Sequence, residues 1–158
     1  MPTPQTHHAL QTVLERAVVE RDEATAQLYL SLENSRRLAS QREQLVNYRT
    51  EYQARWTLQF KQLATMEVVH SYQAFVERLD HAIAQINGQA DVATLQSEQA
   101  RAQLLARETR VASVRKLLEK RQVEVAARSA AREQRHSDEL ANLSAWHAAP
   151  AMAARASN

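Results

Sequence analysis

"YQAFVERLDHAIAQINGQA", residues 72–90, decides the fold. Its apolar side chains fall at Tyr72, Val76, Leu79, Ile83, Ile86 and Ala90, in alternating steps of four and three. Such a stripe repeats every 3.5 residues against 3.6 per helical turn. It stays on one side only if the helix wraps left-handedly round a partner. The same steps continue through Ala93, Ser97, Ala100, Leu104, Arg107, Val111, Val114, Leu118, Arg121 and Val125. A weaker seam precedes them at Leu10, Leu14, Ala17, Arg21, Ala24, Leu28, Ser31, Ser35, Leu38, Arg42, Leu45, Arg49, Tyr52 and Trp56. A lone long helix is poorly stable, and two seams in one chain most simply bury each other. The predicted fold is all-α: a long antiparallel two-helix coiled coil, or helical hairpin.

The scarcity of turn residues agrees. Gly88 is the only glycine, and the prolines are Pro2, Pro4 and Pro150. A globular chain of 158 residues would need many more breaks. The sequence therefore reads as a single coiled-coil domain over residues 1–158: helix 1 about 8–60, helix 2 about 66–146, and a frayed tail over 147–158. The connection is expected around Gln62 to Met66, with Thr65 capping the second helix and Glu67 in its first turn. Helix 2 then overshoots helix 1 by about twenty to thirty residues, at ~1.5 Å of rise each. The register passes through Gly88 without a skip, so the glycine reads as a weak point costing ~1 kcal/mol relative to alanine. A true turn at Asn87-Gly88, giving three helices, is the alternative.

Several function classes find no support. Without cysteine there is no disulfide framework and no thiolate metal site. A reducing cytoplasm fits this. No apolar run approaches the ~20 residues needed to span a bilayer, and MPTPQTHHALQ lacks the blocks of a secretory signal. There is no phosphate-binding glycine loop, no HExxH and no nucleophilic cysteine. His7, His8, His70, His81, His136 and His147 form no i, i+4 pair and read as solvated surface. Two helices also make no water-excluding pocket. No catalytic residue, metal site or cofactor is expected.

Residues 101–135 carry ten Lys/Arg against four Glu, a local +6. Acids are interleaved, as Lys116 is with Glu119, which suits a solvated helix face. Nucleic acid is the weaker reading, since no aromatics accompany the charge. Arg128, Arg132 and Arg135, however, continue the seam beyond the reach of helix 1. Arginine there suits an anionic or carbonyl-rich protein partner.

The aromatics cluster near the connection. Tyr52 and Trp56 lie on the first seam and are expected to close the hairpin. Tyr48 and Phe75 lie off the seams, where a two-helix structure offers no core. Such a ring is exposed or covers the flank, and exposed rings mark contact surfaces.

NYRTEYQARW followed by SYQAFVERLDHAI resembles the flagellar FliJ proteins. Their pattern is a leucine before Y-x-x-E-Y, a short connection, then Y/F-Q-x-F-x-x-x-L-x-x-A-I. The likeness is most specific over residues 41–86 and compositional elsewhere. It implies an antiparallel coiled coil similar to the central stalk of rotary ATPases, acting in the cytoplasm at the inner face of the inner membrane. It implies three partners in flagellar type III export: the hexameric export ATPase FliI, the export-gate membrane protein FlhA, and export chaperones. By resemblance the gate contact matches Gln41, Leu45, Tyr48, Tyr52, Phe75, Leu79, Ala82 and Ile86. The ATPase contact falls to the end carrying Arg128, Arg132 and Arg135. A stalk protein of a virulence secretion system has the same architecture, and a generic coiled-coil tether is a reading from another class. In each case the chain is expected to be a monomer.

Overall fold

The computed structural model describes residues 4–60, 62 and 65–156. Helix α1 spans Pro4–Arg55, a π-helical turn follows over Trp56–Phe60, and helix α2 spans Met66–Arg155. The two long helices pack against each other as an antiparallel hairpin, and no strand occurs among the described residues. Pro4 opens α1 at the position where its missing N–H would have no helical partner anyway. Thr65 stands just before α2, and its carbonyl accepts the Val69 N–H at 3.1 Å, closing the first turn. Glu67 sits in that turn, near the positive end of the helix dipole. Gln62 lies in a turn as expected of the connection; Lys61, Leu63 and Ala64 lie outside the described residues.

The seams account for burial almost residue by residue. Of the first, every position from Leu10 to Trp56 is buried or half-buried except Arg42. Of the second, every position from Tyr72 to Arg121 is buried or half-buried, and only Val125 is exposed. Ala17, Ala24, Leu38, Leu79, Ala93, Val111 and Leu118 are the buried apolar residues. Three of the seven are alanines, which hold little area but let backbones approach closely.

The chain divides into two units. Residues 17–110 form one, with the connection, the aromatic residues near it and ion pairs that cross between the helices. Arg107 Nη1 donates to Glu20 Oε2 at 2.8 Å, and Arg110 lies 3.6 Å from the same oxygen. Arg49 Nε donates to Asp80 Oδ1 and its Nη2 to Oδ2 at 3.3 Å. That carboxylate hydrogen bond holds the Arg49 guanidinium above the ordinary arginine pKa, with partial desolvation opposing it. Two of the seam arginines are thus cross-helix ties. A seam position suits them because Glu20 and Asp80 flank the facing seam. Arg42 has no such tie and keeps its charged head in water.

Residues 1–16 and 111–158 form the other unit. Leu10 and Leu14 are half-buried, Val111 and Leu118 buried. His7, three before Leu10, is half-buried too, with its Nδ1 enclosed and without a hydrogen-bond partner, so it is not the solvated histidine expected. From Gln122 to Ala156 every described side chain is exposed. That overshoot exceeds thirty residues and explains the exposure of Val125, which continues the seam past the end of α1. The helix also runs further than the predicted end near 146, passing Pro150 to reach Arg155. Proline removes one backbone hydrogen bond there, but Ala148, Ala149, Ala153 and Ala154 are the strongest helix formers.

Gly88 sits inside α2, so the three-helix alternative is excluded. Its φ is ordinary, and an added Cβ would meet nothing within 4 Å. The residue therefore carries only its entropic cost. Gly88→Ala should stabilise the hairpin by about 1 kcal/mol. A thermal or urea melt followed by helical circular dichroism checks this, and a lower midpoint would show that the position has a hidden steric role.

Candidate protein-interaction surface

The ring-bearing residues near the connection come together as a ladder that crosses between the helices. Trp56 stacks on Tyr72 with centroids 4.2 Å apart and planes 13° from parallel. Tyr72 stacks on Tyr52 at 5.5 Å and 17°, and Tyr52 on Tyr48 at 6.3 Å and 26°. Phe75 leans into the ladder, 4.5 Å from Tyr52 and edge-on to Tyr48 at 6.2 Å. The Arg78 guanidinium lies 6.0 Å from the Phe75 ring centre, within reach of a cation–π attraction.

The local sequence explains the ladder. Tyr48, Tyr52 and Trp56 follow one another at i, i+4 and i+8 along one side of the chain. The π-helical turn begins at Trp56. A π-turn widens the helix by one residue and is often found at functional positions. Leu58 within it is almost fully exposed.

The expected closure of the hairpin by Tyr52 and Trp56 is what the structure has. Of the two expectations for Phe75, exposure or cover of the flank, the structure has the second: the ring is half-buried against Tyr52 across the helix pair. A flank position next to a seam can send a large ring to the facing helix, and the seam steps alone do not register that reach. Tyr48 does lie outside, 47% exposed at the end of the ladder.

Counting back along both helices from the Tyr52–Phe75 contact puts Leu45 level with Ala82 and Gln41 level with Ile86. The eight residues drawn from the family resemblance therefore form one continuous two-helix strip, about 17 Å long. Gln41 and Tyr48 are exposed in it; Leu45, Tyr52, Phe75, Ala82 and Ile86 are half-buried; Leu79 is buried. Arg128, Arg132 and Arg135 belong to the other unit and are all exposed on the overshoot. Sequence reasoning missed Tyr72 as the centre of the ladder, and it missed the Arg49–Asp80 tie beside it. Asp80 could have been found once the register was known, since it follows Leu79 directly.

Among the described residues no group of His, Asp and Glu could hold a metal ion, and no helix is long and apolar enough to cross a membrane. The fold is that of a coiled-coil helical hairpin. The chain belongs to the flagellar FliJ protein family, whose model matches residues 6–150. It is in general terms a flagellar protein-export component. No curated protein and no solved structure matches it.

The ladder makes a graded prediction. Tyr52 meets three rings, so Tyr52→Ala should cost roughly 2 kcal/mol. Tyr48→Ala removes the exposed end and should cost under about 1 kcal/mol. Urea melts of the two variants check the order, and equal losses would mean that Tyr48 is part of the core.

Proposed function

We propose that this chain is a non-catalytic stalk of the flagellar export apparatus. One end binds the hexameric export ATPase, FliI, and the strip near the connection binds the cytoplasmic domain of the gate protein, FlhA. Export chaperones use the same protein, and it works in the cytoplasm at the inner face of the membrane. The observation that carries this reading is the exposed ring of Tyr48 at the end of the aromatic ladder, on a chain of the FliJ family. An apolar ring left in water costs solvation, and tyrosine is favoured at binding hot spots.

The overshoot supports the second contact. Arg128, Arg132 and Arg135 continue a seam that α1 does not reach, and they are exposed. Three guanidinium groups at seam spacing can donate to carboxylates or backbone carbonyls lining a ring. Helix α2 could enter such a ring there without opening the hairpin, because no α1 residue has to be displaced. Family membership favours the flagellar system over a virulence system or a generic tether.

Two binding experiments test the reading. Tyr48→Ala should weaken binding of the gate's cytoplasmic domain by more than ~1 kcal/mol while the melting midpoint barely moves. Leu79→Ala, a buried seam position, should lower both stability, by about 2 kcal/mol or more, and binding. Gate affinity unchanged in Tyr48→Ala would contradict the strip assignment. Reversing Arg128, Arg132 and Arg135 to Glu should weaken ATPase binding at physiological salt with helicity unchanged, and retained affinity would contradict the assignment of the overshoot.

A further inference from the structure

Along the ring ladder, extending towards the connection, is an open groove of about 360 Å³. Tyr48, Tyr52, Trp56, Tyr72 and Val68 give it apolar walls, and Gln59 and Ser71 give it hydrogen-bonding edges. This volume is at the lower end of binding pockets. It takes the side chains of a short segment but does not seat a helix 10–12 Å across.

The charge in the groove is one-sided. Arg55 lines it, and no carboxylate does. Arg55 is exposed, and among the described residues no acid pairs with it, although Glu51 stands one helical turn away. Arg49, Arg107 and Arg110 are tied to carboxylates of the facing helix, whereas Arg55, like Arg42, is not. A planar fork with free donors beside near-parallel ring faces has a definite complement. It is a carboxylate next to a flat apolar group, carried on an extended backbone whose amides reach Gln59 and Ser71.

We propose that this groove docks an extended acidic segment of a protein partner, with an Asp or Glu on Arg55 and a neighbouring proline or apolar side chain against Tyr52, Trp56 and Tyr72. The proposal rests on the reading of the strip as a protein-binding face, shares Tyr48 and Tyr52 with it, and names the chemistry that the end towards Arg55 takes.

The test is selection of a short random peptide library, displayed on phage, against the immobilised full chain. Enriched peptides should carry Asp or Glu beside proline or an apolar residue. They should bind Arg55→Glu at least about tenfold more weakly, and Arg55→Lys should retain part of the affinity. In the Trp146→Phe background, where Trp56 is the remaining tryptophan, the same peptides should shift its fluorescence. Enrichment of neutral or basic peptides, no enrichment, or equal binding by Arg55→Glu overturns the proposal. So does self-association of the wild type that Arg55→Glu abolishes, because the occupant would then be a second copy. Competition separates this proposal from the gate assignment. If the gate's cytoplasmic domain fails to bind while acidic peptides still require Arg55, the gate reading falls and the groove stands.

Discussion

Each helix of this protein carries a stripe that water disfavours and that its own helix cannot cover. Everything else follows from closing one stripe on the other. The contact is thin: Ala17, Ala24 and Ala93 are among its buried residues, and few large side chains are buried with them. Where packed area is small, the few large groups decide register. Four ring contacts cross between the helices near the connection, joining Tyr48 and Tyr52 to Phe75, and Tyr52 and Trp56 to Tyr72. Each is worth about 0.5–1.5 kcal/mol beyond burial. Solvent screens partly exposed ion pairs such as Arg49–Asp80 and leaves them weak. The rings therefore dominate the energetics at that end, and the ion pairs chiefly specify alignment.

This has a functional consequence. The ladder is the clasp of the hairpin, and in the function we propose it is also the surface on which a partner binds. Tyr52, in the middle, serves the first role, and the exposed end, Tyr48, is assigned the second. A binding surface built on a clasp is stiff, so little ordering is needed when a partner arrives. The overshoot of α2 is different in kind. With every described side chain from Gln122 onward in solvent, it has no clasp, and its helix rests on alanine propensity and local pairs such as Gln134 with Asp138.

The fold was legible because the heptad steps run unbroken through both helices, Gly88 included. The limits of that legibility are physical. Seam steps mark which positions face the partner helix, but not which charged side chains there find an acid. Arg49 and Arg107 find one and Arg42 does not, although all three occupy equivalent positions. Val125 obeys the pattern and stays exposed because periodicity does not say where the partner ends. Phe75 breaks the pattern and is half-buried because a large ring on a flank reaches across. The π-turn at Trp56 has no signal in composition. Of the strip, the rings could be read from the sequence, whereas their stacking order needed the register.

The central claim is that α1 and α2 of one chain pair antiparallel through their seams. Cysteine is absent, so Glu20→Cys with Arg107→Cys introduces two unique thiols. They replace side chains that meet at 2.8 Å although 87 residues apart in sequence. A short bis-maleimide should join them within a single chain, and the product should stay at monomer mass at every protein concentration. In one continuous helix the two positions would be roughly 130 Å apart. A product only at dimer mass, or no crosslink at all, would contradict the hairpin.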